Sequence, residues 1–132
     1  MPITLEINHE RREARATATG AITLEDIRVH LSEEQVRGGL PYRELIDASE
    51  ATAAFDANDA RHTVDIIRSQ GSKSALGPTA IIVSNDLTYG MLRMLGMLLD
   101  DVCEFRPFRK NERAEAKQWL AAARHGGKTK ED

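Results

Sequence analysis

The stretch Thr79 to Leu99, TAIIVSNDLTYGMLRMLGMLL, restricts most tightly what this chain can build. Its opening, Thr79-Ala80-Ile81-Ile82-Val83-Ser84, is a nearly unbroken apolar run of strand length. Continuous rather than alternating apolarity predicts a central strand, the middle ribbon of a sheet. Ser84-Asn85-Asp86 then offers helix N-cap chemistry, and apolar residues follow at helical spacing. A buried strand running straight into a helix is the repeating half of an α/β fold. The stretch carries no catalytic signature.

The chain has 132 residues, enough for one domain with a proper core. With 41% hydrophobic and 30% charged residues, a soluble globular protein is expected. A net charge of −3 argues against a nucleic-acid binder, whose footprint would be basic. The lone cysteine, Cys103, cannot form an internal disulfide. Met1-Pro2-Ile3 leads directly into strand-like alternation, without the basic and apolar regions of a secretion signal. The segment Met91 to Leu99 is interrupted by Arg93 and is too short to span a bilayer. A cytoplasmic protein without integral membrane association is expected.

Ile3, Leu5 and Ile7 alternate with polar residues, which predicts a half-buried strand. After the polar turn Asn8 to Arg11, Ala14, Ala16 and Ala18 alternate with Glu13, Arg15, Thr17 and Thr19. Alanine is a poor strand former, so an alanine face predicts a helix packed close against it. Thr23 is the expected cap of the first helix, with Asp26 on its N-terminus and Leu24, Ile27 and Leu31 as its core stripe. Gly38-Gly39 and Pro41 end it. Tyr42 to Asp47 is the third strand, and Ala48 to Ala57 is expected as loop or irregular turn. Asp56 or Asn58 caps a second helix carrying Ala60, Val64 and Ile67. Val102 to Phe108 is the last strand, with Pro107 requiring an edge or strand end. Asn111 caps a final helix whose apolar face is Ala116, Trp119, Leu120 and Ala123.

The order is β-β-α-β-α-β-α-β-α, an α/β fold with a mostly parallel five-stranded sheet and an N-terminal antiparallel strand. Crossovers of one hand between adjacent strands place the helices mainly on one face. The other face is then expected to be open, with Thr4, Glu6, Asn8, Arg15, Thr17 and Thr19 in water. Residues 1–124 form a single domain, and 125–132 a flexible polar tail.

Several segments together resemble one family. Gly20-x-x-Thr23-x-x-Asp26 is similar to the entry to the first helix in STAS-related, SpoIIAA-like proteins. Leu45-Ile46-Asp47-Ala48 resembles their third strand, which ends in an acidic residue. Tyr89-Gly90-Met91-Leu92-Arg93 and Phe108-Arg109 followed by Ala116-x-x-Trp119-Leu120 resemble segments of the stand-alone bacterial branch. The resemblance implies a small mixed sheet with helices largely on one face, and a non-enzymatic regulatory or protein-interaction module. The related lipid-exchange (CRAL-TRIO) domains use a similar fold to carry apolar ligands. Anti-sigma-factor antagonists of this kind carry a phosphorylatable serine at the start of the second helix. Here that region reads Asp56-Ala57-Asn58-Asp59-Ala60, which speaks against such a switch.

In open α/β sheets, ligands bind outside the carboxyl ends of the strands. That rule selects Asp47, Ser49, Ser84, Asn85, Tyr89 and Arg109 as candidate ligand-binding residues. The plainer alternative is that Ser84 and Asn85 cap a helix while Asp47 satisfies a loop. The third helix is apolar on more than one side, which predicts burial on more than one side, and Gly90 and Gly96 inside it need a packing reason. Gly90, Met91, Met94 and Met97 are therefore candidate homodimer-interface residues, with an apolar pocket or simple core packing as the alternatives. His9, His30, His62 and His125 show no metal-binding spacing, so no metal or cofactor is expected. The segment Gly71 to Gly77 faintly resembles a phosphate loop but precedes a strand. The expected function is a non-catalytic binding or regulatory module acting through protein–protein interaction. Its partners are a second copy of itself or another regulatory protein. The alternative is a carrier of a small apolar or lipid-like ligand, and an enzyme is the third class.

Overall fold

The computed structural model describes residues 2–71 and 76–123. The expected tail 125–132, with His125, lies outside the described residues, as do residues 72–75 of the loop that faintly resembles a phosphate loop. The elements run β1 (Ile3–Asn8), β2 (Glu13–Ile22), α1 (Leu24–Val36), β3 (Arg43–Ala53), α2 (Ala57–Gly71), β4 (Thr79–Val83), α3 (Asp86–Leu98), β5 (Phe105–Arg109) and α4 (Arg113–Ala122). A short 3-10 turn, Lys110–Glu112, precedes α4. The sheet order is β1-β2-β3-β4-β5, with β1 antiparallel to β2 and every other pair parallel. The expected mixed α/β architecture is therefore present. The middle ribbon, however, is β3. β4 is interior, flanked by β3 and β5, but not central. Continuous apolarity reports neighbours around a strand, not its rank in the sheet.

Local chemistry explains the element ends. Thr23 and Asp26 form a reciprocal capping box at the start of α1, with Asp26 N donating to Thr23 Oγ1 at 3.1 Å and Thr23 N to Asp26 Oδ2 at 2.9 Å. Asp56 does the same for α2 with Asp59, at 3.0 and 3.2 Å. Asn85 caps α3, its Oδ1 accepting from Thr88 N at 3.0 Å. Asn111 caps nothing: the 3-10 turn intervenes, and Glu112 occupies the position before α4. Pro107 lies in β5, an edge strand, where its missing N–H costs no ladder bond on the outer side.

β3 does not stop at Asp47. It continues to Ala53 against β2 alone, through a bulge where Thr17 and Thr19 oppose Asp47 and Glu50. The inserted residue shifts the alternation, so Ala48 and Ala51 both pack with the core on the helix side. Period-two reading cannot register such a slip, which is why this segment resembles a loop in sequence.

Two layers cover the sheet. On one face, Ile27 of α1, Ala60 and Val64 of α2, and Leu92 and Leu95 of α3 pack with Ala18, Ala48 and Val83. The alanine face of β2 is buried there, as its composition predicts. On the other face, Ala116 and Leu120 of α4 pack with Leu45, Ala80, Ile82 and Phe108. The Trp119 ring sits 5.9 Å from that of Phe108. The second face is thus open only over β1 and β2, where Thr4, Glu6, Asn8, Arg15, Thr17 and Thr19 are exposed. α4 follows the last strand and crosses to no further one, so nothing holds it to the crossover face. Its Ala116/Trp119/Leu120 stripe meets the one apolar strip left uncovered.

α3 also corrects an expectation. It is buried on one side, through Leu92 and Leu95, while Leu87 and Met97 are 77% and 69% exposed. Its two glycines differ. A Cβ on Gly96 would lie 2.8 Å from the backbone oxygen of Phe105, whereas one on Gly90 would meet nothing within 4 Å. Only Gly96 has the close backbone approach that sequence reasoning demands of both. Gly96→Ala should therefore lower the unfolding free energy in urea by about 1–3 kcal/mol. Gly90→Ala should raise it by about 0.5–1 kcal/mol, since the helix interior there is open.

Candidate functional site

The residues selected at the strand ends do come together in space. Asp47 sits at the β3 bulge, and its Oδ1 accepts from Ser49 N at 3.0 Å and from Ser49 Oγ at 2.6 Å. Its Oδ2 lies 3.1 Å from an Arg113 guanidinium nitrogen. Ser84, at the end of β4, donates its hydroxyl to Ser49 O at 2.6 Å. Arg109, at the end of β5, pairs with Asp86 and stacks its guanidinium 4.1 Å above the Tyr89 ring. Partial burial works to raise Asp47, but the two Ser49 hydrogen bonds and Arg113 outweigh it and hold the carboxyl below its usual range. These bonds form two groups, one joining β3, the end of β4 and α4 and the other joining β5 and α3, and all are made within the protein itself. The interface candidates lie on α3: Gly90 and Met97 are exposed, and Met91 and Met94 half-buried.

A different site lies between the sheet and α1, α2 and α3. A cavity of about 170 Å³ opens there, walled mostly by aliphatic side chains such as Ile22, Ile27, Ile46, Leu92 and Leu95. The small residues Ala18, Ala48 and Ala51 leave its floor low. Cys103 lines it too. Burial, with the Glu104 charge adding, pushes its thiol up to about 11, so it stays an unreactive apolar group.

One end of this cavity is ionisable. His30 and Glu34 are the buried residues of α1, in place of the expected stripe Leu24, Ile27 and Leu31, which is only half-buried. Glu44 of β3 is buried opposite them. His30 Nε2 lies 3.0 Å from Glu44 Oε2 and 3.7 Å from Glu34 Oε1. His30 Nδ1 is buried with no hydrogen-bond partner. Burial favours the neutral imidazole, but the Glu44 hydrogen bond and charge, with Glu33 adding, raise His30 above 6.5. For Glu34, burial and then the Glu44 charge and hydrogen bond push the carboxyl far above the ordinary range. His30 and Glu34 thus both hold a proton more tightly than free side chains do.

Their donor atoms lie within 4.8 Å of one another, a set that a divalent cation could also use. His30 Nε2 is hydrogen-bonded to Glu44 Oε2 at 3.0 Å. Spacing rules miss this cluster because its members come from two elements. The available signals were modest: a His-x-x-x-Glu pair on one helix face, and a glutamate at the inward position that alternates with Leu45.

Rising pH should destabilise the protein through this cluster. Both His30 and Glu34 hold a proton more tightly folded than unfolded, so stability is lost as pH climbs above their ordinary values of 6.5 and 4.5. Asp47 acts oppositely, losing its contribution as pH falls below its ordinary 3.8. Urea unfolding should show a maximum in weak acid and a decline of roughly 1–3 kcal/mol from about pH 6 to about pH 9. Glu34→Gln should flatten that decline; an unchanged slope would show that Glu34 is ionised in the native state.

No protein-family model matches the sequence, and none of the curated proteins matches it. Among solved structures, the fold is similar to that of an uncharacterised protein of the DUF3478 family from Shewanella loihica, described as having a SpoIIAA-like fold. The superposition has a TM-score of 0.56 at 22% identity and covers 89% of this chain and 93% of that one. With its mixed five-stranded sheet and four helices, the chain has a SpoIIAA-like α/β fold.

Proposed function

We propose that the chain is a non-catalytic binding module that holds a small, mainly apolar ligand between its sheet and helices. The cavity of about 170 Å³ carries this reading. Packed interiors leave few voids larger than a water molecule. An aliphatic cavity of roughly 150 Å³ takes up benzene rather than water. The alanines on the floor of this one leave volume that a longer side chain would fill. The ionisable groups at its end are engaged with one another, which suits recognition rather than turnover.

Isothermal titration with naphthalene and its hydroxyl and carboxylate derivatives tests the reading. At least one should bind saturably at one site per chain. Ala48→Leu should abolish that binding while leaving the fold intact by circular dichroism. If none of the three binds, the cavity is only imperfect packing and the reading fails.

A second reading rests on α3. Leu87, Gly90, Met97 and Leu98 lie on the solvent side of α3, with Met91 and Met94 half-buried against the core beside them. Leu87, Met97 and Leu98 are exposed. An apolar helical stripe in water suits self-association, with the thioethers adapting to a partner surface. Sedimentation at high concentration should show a dimer that Met97→Glu dissociates. A monomer for the native chain would remove this reading and leave the first untouched.

A further inference from the structure

Buried charged groups in proteins are paired or coordinate metals. Glu34 and Glu44 are both buried, and among the described residues the basic side chain within ion-pair reach of either is His30 alone. Arg37, at the end of α1, pairs with Glu33 instead, at 3.1 Å. One imidazole therefore serves two carboxyl groups.

The three side chains are arranged as a chelate. His30 and Glu34 stand four residues apart, so α1 presents both on one face. Glu44 meets them from β3, where the chain is paired on both sides, to Ala14 and to Thr79. Both supports are regular elements, which hold donors more firmly than loops do. One donor atom from each residue lies within 4.8 Å of the other two. An ion with bonds of about 2.1 Å holds neighbouring donors about 3.0–3.4 Å apart, in octahedral or tetrahedral geometry. His30 Nε2 lies 3.0 Å from Glu44 Oε2 and 3.7 Å from Glu34 Oε1, distances that bracket that range.

We propose that His30 Nε2 and one oxygen each of Glu34 and Glu44 bind a divalent transition-metal ion of the zinc type, which clamps α1 to β3. The donor set selects that class. Imidazole suits zinc and its neighbours, whereas magnesium and calcium take oxygen ligands. Three protein donors leave a position for water. The three residues line one end of the cavity, which has room for it. The ion takes the place of the proton between Nε2 and Glu44 Oε2. Displaced protons go to solvent, and the ring keeps one on Nδ1. The site does not require the cavity to hold an apolar molecule.

The test uses the untagged native chain, freed of metal with a chelator and dialysed, near neutral pH. Isothermal titration with zinc chloride should show one tight ion per chain, with a micromolar or tighter Kd, and zinc should raise the melting temperature. Glu34→Gln and Glu44→Gln keep the size of the side chain but give up the anionic donor. Each variant, folded by circular dichroism, should bind zinc at least about tenfold more weakly, the loss that even an outer partner of a metal ligand causes. Because a substitution here can unfold the chain, a further measurement uses the native protein. Small additions of cobalt(II) chloride should shift or broaden the His30 ring resonances before those of His9, His62 and His125, and zinc should reverse the effect. Unchanged affinity in a folded variant, or a first effect on another histidine, would show adventitious surface binding and overturn the proposal. So would a native chain that takes up no zinc.

Discussion

α1 is held to the sheet by a polar contact. Its apolar residues, Leu24, Ile27 and Leu31, are only half-buried, and the side chains it sinks completely are His30 and Glu34. Glu44 on β3 receives them. Three ionisable groups can occupy an apolar interior only if their charges cancel and their hydrogen bonds close. Here Glu34 and His30 both hold a proton more tightly than free side chains do, and the His30–Glu44 hydrogen bond closes the contact. The arrangement holds only while the members stay together, because losing one partner leaves an uncompensated buried charge. The position of α1, and with it one wall of the cavity, therefore depends on this contact.

The cavity is the complement of that constraint. His30 and Glu34 of α1 and Glu44 of β3 line one end of it. Alanine along β2 and at the β3 bulge does nothing to close the gap. On the opposite face the contrast is plain. There Leu45, Ile82 and Phe108 meet Leu120 and Trp119 in a conventional apolar seam. One side of the sheet thus supplies rigidity, and the other supplies space.

The strand-end network shows a different use of polarity. Asp47, Ser49, Ser84 and Arg113 are joined by short bonds at the place where β4 ends and β3 runs on past it. The bulge makes this possible, because it presents the backbone N–H and hydroxyl of Ser49 to Asp47 in the same turn. These residues could be selected from the sequence by the rule for open α/β sheets, and the fold does gather them. What the rule could not supply is the direction of their bonds, which run into the protein.

Much of the fold was legible because it is local. Capping boxes span three residues, the alanine face repeats every second residue, and a proline in a strand needs an edge. Each depends on chemistry between near neighbours, so Thr23, Ala14, Ala16, Ala18 and Pro107 could be placed from the sequence alone. Tertiary structure decided the rest. His30 and Glu44 lie on different elements, and nothing in either element's pattern states that the two will meet. The extension of β3 depends on β2 being alongside to pair with it. The side of the sheet taken by α4 depends on which apolar strip the other helices leave bare. Charge compensation, ladder pairing and burial of a last uncovered surface act across space, and the spacing of residues along a chain does not encode them.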